Sequence, residues 1–269
     1  FQSWLDDHDL ASPEQELRIF EALEALRKDR LTVAFVAEFS RGKTELINAM
    51  FFSHYGQRLL PSEAGRTTMC PTELFYDREQ DQAYIHLLPI ETRLKDDSIA
   101  ELRHESIHWT QISLDVANTA QVAEALHEVI KTKQVPLAKA RELGLYDENS
   151  DPYYQAHGKT PAQVEIPLWR HALISFPHKL LKQGLVVLDT PGLNALGNEP
   201  ELTLNMLPSA QAVLFLLGAD TGVTRSDMDM WQHYVRNVGN QSGHNLVVVL
   251  NKIDTLWDEL KDSSSVNAS

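Results

Sequence analysis

Cysteine is almost missing from this chain: Cys70 is the single one in 269 residues. No internal disulfide can form, and a reducing, cytoplasmic setting is the expectation. No apolar run approaches the ~20 residues of a membrane-spanning helix; the longest, around Ala212 to Leu217, is only long enough for a strand. The opening Phe1-Gln2-Ser3-Trp4-Leu5-Asp6-Asp7 has no initiator Met, no basic segment and no apolar segment, which does not read as a secretory signal. A soluble domain cut from something longer is expected, at most peripheral at a membrane. Basic residues are scarce as well: 24 Lys and Arg face 38 Asp and Glu, for a net charge of −14. An acidic surface repels nucleic acid and anionic lipid, so no nucleic-acid partner is expected. Membrane lipid would have to be met through a local basic patch or through parts outside this chain. Internal repeats and low-complexity tracts are absent too, apart from a serine cluster at 263–265.

What is present is an ordinary globular composition, 43% hydrophobic and 23% charged, enough to bury a sheet without metal or disulfide. Ser12-Pro13-Glu14-Gln15 reads as a helix start, followed by Leu17, Ile19, Phe20, Leu23 and Leu26 at helical spacing. Leu31 to Val36 is a short, apolar, β-branched run that suits a buried strand. Leu46, Ile47, Met50 and Phe51 then restore a helical period. Similar strand-like runs recur at Gly184 to Leu188, Ala212 to Leu217 and Leu246 to Leu250, with a helix predicted from about Ser226 to Val238. Strands alternating with helices, each strand apolar throughout, predict an α/β fold with a mostly parallel central sheet covered on both faces. Thr72 to Tyr76 and Ala83 to Leu88 are read as two further strands, paired as a hairpin. The stretch from about 91 to 161 is polar, His-rich and patchily helical, best at Val122 to Ile130, and is read as an insertion.

Three motifs carry the chemistry. After the first strand comes Ala37-Glu38-Phe39-Ser40-Arg41-Gly42-Lys43-Thr44. A P-loop wraps backbone N–H groups around phosphates, sends a Lys to the β/γ oxygens and offers a Ser or Thr to Mg²⁺. Here Gly42, Lys43 and Thr44 are in place, but Ala37 replaces the first Gly, a position that must then tolerate a Cβ. The second motif, Asp189-Thr190-Pro191-Gly192, ends a strand; Asp189 can hold a Mg²⁺ water and the Gly192 N–H can meet a γ-phosphate. In the third, Asn251-Lys252-Ile253-Asp254, the Asp254 carboxylate can accept from N1–H and the exocyclic amine of guanine, a donor pair adenine lacks. Asn251 can bond the base edge and tie loops together, and the Lys252 stem can cover the ring. Each motif alone is also what an ordinary turn or an N-cap would show. All three fall in order at the carboxyl ends of predicted parallel strands, where open α/β sheets bind ligands.

On these residues the sequence resembles the dynamin superfamily of large GTPases, especially the bacterial dynamin-like proteins. The likeness is carried by Glu38 to Ala49, by Arg66-Thr67-Thr68-Met69-Cys70-Pro71-Thr72-Glu73, and by 184–193, 212–227 and 247–254. It implies a P-loop G domain over 31–258, with the insertion at about 91–161 between its switches, a helical segment at 1–30 before it and a tail at 259–269. It implies GTP and GDP as ligands, Mg²⁺ held by Thr44, Thr68 and Asp189, and a monovalent cation (K⁺ or Na⁺) placed with the attacking water by Ser40. Thr68 resembles the switch threonine, with Thr67 the fallback. Glu38, Phe39 and Arg41 fall within the nucleotide-binding loop. Leu193 stands where small GTPases carry a water-orienting Gln, which is similar to the dynamin pattern of a site completed by homodimerisation across the nucleotide. The span from Thr68 to Asp189, 121 residues, is long even for this family. The chain stops about fifteen residues after Asp254, so the last strand and helix of a G domain, the stalk and the membrane-contacting parts are expected to lie elsewhere.

Two sharper ideas arise. The Arg41 guanidinium could act in cis on the transferring phosphoryl group; the alternatives are an exposed P-loop side chain or a dimer contact. His104-Glu105-Ser106-Ile107-His108 fits a zinc signature, with Glu124 or Glu128 as third ligand, but Arg103 and Trp109 flank it where a buried apolar helix would be needed, and a solvated face is the plainer reading. Four functions stay open: a membrane-remodelling GTPase, a regulatory or assembly GTPase, a GTP-holding switch without turnover, and a zinc hydrolase.

Overall fold

The computed structural model describes residues 30–38, 40–61, 70–95, 99–103, 105–146, 148, 154, 158–190, 207, 210–236 and 245–259. Its core is built around β1 (Leu31–Ala37), whose residues Val33 to Ala37 are all buried. An apolar strand with no polar face belongs inside a sheet covered on both sides. β1 pairs in parallel with β8 (Leu185–Asp189) on one side and β9 (Ala212–Gly218) on the other, and β10 (Asn245–Asn251) pairs in parallel with β9. These four strands form one half of an eight-stranded sheet, continued beyond β8 by β2 (Thr72–Phe75), β7 (Trp169–Ser175), β3 (Tyr84–Pro89) and β4 (Thr110–Ser113) in that order.

Side chains of β1 alternate between two cores, as a period of two requires. Val33, Phe35 and Ala37 join Ile47, Phe51, Phe52, Ile174 and Phe176 on one face. Ala34 and Val36 join Val186, Leu188, Val213, Phe215 and Met230 on the other. The first face is covered by α1 (Lys43–Phe51) through Ile47 and Phe51, the second by α6 (Arg225–Met230) and the π turn Trp231–Val235 that continues it. Both helices were expected, the first from its period and the second at about Ser226 to Val238, of which residues 237 and 238 lie outside the described residues. The Ser12 to Leu26 helix lies outside the described residues.

The other half of the sheet departs from the expected hairpin. β2 (Thr72–Phe75) and β3 (Tyr84–Pro89) both exist, but β7 (Trp169–Ser175) lies between them, parallel to β2 and antiparallel to β3. Residues 171–175 of β7 are all buried, so this strand takes an interior place that β2 and β3 cannot then share. The two are joined only at the isolated bridge Asp77–Gln82. Ser175 holds them apart there: its Oγ donates to the Gln82 carbonyl at 2.6 Å and accepts from the Asp77 N–H at 3.1 Å.

The segment read as an insertion is partly woven into this framework. β4 (Thr110–Ser113) pairs with β3 at the sheet edge. α3 (Thr119–His127) sends Val122, Ala125 and Leu126 into the first core, close to the helix expected at Val122 to Ile130. Beyond it, β5 (Thr132–Pro136) and β6 (Gln163–Pro167) make a separate two-stranded sheet, with α4 (Leu137–Glu142) packed on a small core of Ile90, Val135, Ala140, Leu143, Leu145 and Ile166. α2 (Ile99–Leu102) leads to Arg103, which pairs with the buried Glu73 of β2, and α5 (Lys179–Lys182) leads into β8.

Asn48 ties α1 to the chain that follows it. Its buried amide donates to the Leu60 carbonyl at 2.8 Å and its oxygen accepts from the Leu59 and Leu60 N–H groups at 3.2 and 2.8 Å. Asn48→Ala leaves these backbone groups buried without partners and is expected to cost about 3 kcal/mol, read as a lower urea midpoint. A change below about 0.5 kcal/mol, the usual size for a surface substitution, would show that this bracket contributes nothing.

Candidate functional site

Because β1, β8, β9 and β10 run in parallel, the loops that leave their carboxyl ends share one edge of the sheet. After β1 the chain turns sharply. Ser40 has φ 60° and Gly42 has φ 80° before α1 begins at Lys43. Gly42 is required twice over: a left-handed φ disfavours other residues, and a Cβ there would lie 2.5 Å from Asn251 Nδ2. No side chain caps α1, so the N–H groups of its first turn point outward with the positive end of the helix dipole. Ala37 is extended, buried and paired with Leu216, so the missing first Gly is filled by a residue with no need of unusual backbone.

Lys43 is buried, and its Nζ is paired with the Asp189 carboxylate at the end of β8. Thr190 Oγ1 donates to the Phe35 carbonyl at 2.9 Å, fixing the end of β8 against β1. Thr44 is half-buried on the first turn of α1 and Ser40 is exposed. From the third motif, Asn251 Nδ2 donates to the Arg41 carbonyl at 2.8 Å, so this side chain does tie two loops together. Lys252, at φ 59°, extends its Nζ to Asp220 Oδ2 at 2.8 Å, and Asp254 is exposed at the start of the short 3₁₀ segment Ile253–Glu259. Lys43, Thr44, Asp189, Asn251, Lys252 and Asp254 thus lie in or next to the loops at one edge. Phe39, Thr67, Thr68, Gly192 and Leu193 lie outside the described residues.

Arg41 is not the exposed P-loop side chain that was one expectation for it. Its guanidinium is buried and turned toward the loop between β9 and α6, where Nε donates to Asp227 Oδ1 at 3.1 Å and Nη2 to Asp227 Oδ2 at 2.6 Å. Nη2 also reaches Thr224 Oγ1 at 3.1 Å, and Nη1 reaches Thr221 Oγ1. With these donors engaged it is neither an exposed side chain nor an arm extended toward a phosphate. Burial alone would raise the Asp227 carboxyl, but hydrogen bonds from Arg41 and Thr224 outweigh it and hold the group below the ordinary aspartate range. Asp227 also closes the capping box of α6 with Thr224. Glu38 makes a second connection to the same helix start, accepting from Ser226 Oγ at 2.6 Å.

The zinc signature has no helical frame. Ser106–His108 is a single 3₁₀ turn, Glu105 pairs with His108 at 3.0 Å, and His104 lies outside the described residues. Among the described residues no three His, Cys, Asp or Glu side chains gather as a metal site, and no helix is long and apolar enough to cross a membrane.

A sequence model of the dynamin family matches residues 33–253, most of the chain. The chain belongs to the dynamin family. A curated bacterial dynamin-like protein from Nostoc punctiforme (strain ATCC 29133 / PCC 73102) is 27% identical over 93 residues, covering 35% of this chain and 12% of that protein. Two solved structures of an oligomerised bacterial dynamin pair, described as sensing and tethering membranes over long range, align with TM-scores of 0.43 and 0.45 at 21% and 16% identity. They cover 96% and 99% of this chain but only 31% and 39% of theirs, so this dynamin-family chain spans well under half the length of the proteins it is similar to.

Asp220, Thr221, Thr224 and Asp227 were not singled out as site residues from the sequence. The Thr224-x-x-Asp227 spacing is a readable helix start, but nothing local announces a partner 186 positions away. Because Asp227 is held below its unfolded value, its contact with Arg41 contributes fully above the ordinary aspartate pKa of about 3.9 and is lost as pH falls through the folded value. Unfolding free energy of the wild type is therefore expected to fall more steeply between about pH 5 and pH 3 than that of Asp227→Asn, which has no proton to take up. Parallel pH profiles would sink this assignment.

Proposed function

We propose that this chain binds GTP at the edge formed by β1, β8, β9 and β10, and hydrolyses it by in-line attack of water on the γ-phosphate. The observation that carries the reading is the convergence there of Lys43 with Asp189 and of Asn251 with the phosphate loop, within a dynamin-family chain. Lys43 would turn from Asp189 to the β/γ oxygens, and the first-turn N–H groups of α1 would cradle the phosphates. Asp254 would accept from guanine, with Asn251 holding its loop to the phosphate loop and the Lys252 stem against the ring. Ser40 and Thr68 would place the attacking water, and the Gly192 N–H would meet the γ-phosphate.

Thr44 and Asp189 offer a hydroxyl and a carboxylate, an all-oxygen donor set that suits Mg²⁺, with Thr68 as a further hydroxyl. The bound ion would neutralise charge developing on the phosphate oxygens. Among the residues proposed here none resembles the water-orienting Gln of small GTPases, which supports completion of the site by a second copy. A membrane role would depend on regions beyond this acidic chain.

Purified full-length protein is expected to prefer GTP to ATP, and Lys43→Ala to lose tight binding of either. Asp254→Asn exchanges an acceptor for an amide, so it should weaken GTP about a hundredfold and gain affinity for xanthosine triphosphate, whose C2 carbonyl the new amide can meet. Equal affinity for adenine and guanine nucleotides, or indifference to the loss of Lys43, would end the proposal. If dimerisation completes the site, specific phosphate release should rise steeply with protein concentration, and further on liposomes if lipid couples to it. A flat profile in both would remove those parts.

A further inference from the structure

The side chain of Arg41 is the hub of a closed circuit of contacts between three loops. Its guanidinium is held by Thr221 and Thr224 on the β9–α6 loop and by Asp227 in the first turn of α6, while its own carbonyl accepts from Asn251 at the end of β10, where the Asn251–Asp254 loop begins. Those two loops are joined to each other by Lys252 and Asp220, and Glu38 holds Ser226 beside Asp227. At Gly218, where β9 ends, an added Cβ would meet Asp220 Oδ1 at 2.5 Å and Arg41 Cδ at 3.3 Å, so the arginine stem lies close against the strand end.

Among the described residues between Glu38 and Lys43, Ser40 and Gly42 are left-handed, and Ser40 has a Cβ. Such a conformation persists only where its surroundings over-determine it. Contacts that flank Ser40 include Glu38 with Ser226 on one side and Arg41 with Asp227 on the other. A forked guanidinium on a carboxylate fixes direction as well as distance.

We infer that Arg41 is a positioning residue: latched to Asp227, it fixes the phosphate loop in its nucleotide-binding shape and does not touch the phosphates. The inference rests on the proposed GTP site for its consequence, but the latch is a property of the loop itself. A phosphate-contacting arginine would act on kcat and would not need Asp227. A simple brace would act on melting temperature and leave a folded protein's affinity for GTP alone. A positioning latch acts on affinity through either partner.

Full-length wild type, Arg41→Lys, Arg41→Ala, Asp227→Asn and the Arg41→Ala/Asp227→Asn double variant distinguish these. Arg41→Ala and Asp227→Asn are each expected to weaken GTP binding and raise KM by about tenfold, as supporting partners of a site commonly do, with kcat within about threefold of wild type. The double variant should be no weaker than the worse single one, because the two residues act as one unit. Arg41→Lys, which keeps the charge and loses the fork, should fall in between. Amide exchange in the nucleotide-free protein should quicken across residues 40–46 in both single variants. The inference is overturned if Asp227→Asn binds GTP and exchanges as the wild type does, if only melting temperature moves, or if Arg41→Ala loses kcat at unchanged affinity. If the wild type binds no guanine nucleotide, the GTPase reading fails separately, and the exchange comparison still decides whether the latch holds the loop.

Discussion

The constraint on which the rest depends is that β1 is hydrogen-bonded on both sides to strands running in its own direction. Parallel neighbours cannot be joined by tight turns, so β1, β8, β9 and β10 are linked by long stretches of chain, and all four end at one edge. That single directional choice gathers residues 38–44, 189–190, 218–227 and 251–254, which are far apart in the chain. It also explains why the polar chemistry begins where burial stops. Val33 to Ala37 are enclosed on both faces, and the first charged residue after them, Glu38, is already bonded to the start of α6.

Converging loops are not yet a site, because loops with left-handed residues relax unless something holds them. Here the holding contacts are charge-assisted and partly or wholly buried: Lys43 with Asp189, Arg41 with Asp227, Lys252 with Asp220. Breaking one side of a buried pair is costly, since it leaves the other charge without compensation. The Arg41–Asp227 pair has both members almost fully enclosed, whereas Lys252 and Asp220 remain about three-tenths exposed and are correspondingly weaker. An acidic chain thus places three of its scarce cations where their neighbours in space, not in sequence, are aspartates. The net charge of −14 says nothing of this local arrangement.

What the sequence made legible follows from burial. β1, β8 and β9 are near-uniformly apolar and largely buried runs, and α1 shows its period through Ile47 and Phe51, so their kind and order could be read directly. β10 is as apolar, but it forms the edge of the sheet with Val247, Val248 and Leu250 exposed, where a buried strand was expected. β7 begins Trp169-Arg170-His171 and hides among polar neighbours, yet His171 is buried, with the Trp109 ring nearly perpendicular to it at 6.2 Å. Missing β7 is what made β2 and β3 look like a hairpin, since two adjacent strands with a short connection ordinarily pair. β4, exposed along most of its length, has too little apolar content to announce itself. The partner of Arg41 was unreadable for a different reason: a side chain's direction is set by tertiary contacts, and a phosphate-loop arginine invites a phosphate reading until Asp227 is placed beside it.

Ala37 shows how a motif can be broken in letter and kept in physics. A glycine is needed where the backbone takes positive φ or where another chain approaches too closely for a Cβ. At position 37 neither holds: the residue is extended, in register with Leu216, and its methyl packs into the core that contains Ile47 and Phe51. At Gly42 both hold, with φ 80° and Asn251 directly against the missing side chain. The loop therefore begins one strand residue later than the letter pattern assumes, and among its described residues the left-handed positions are Ser40 and Gly42. That places the demand for a fixed shape on Ser40 and Arg41, one carrying the left-handed turn and the other carrying the fork that meets Asp227.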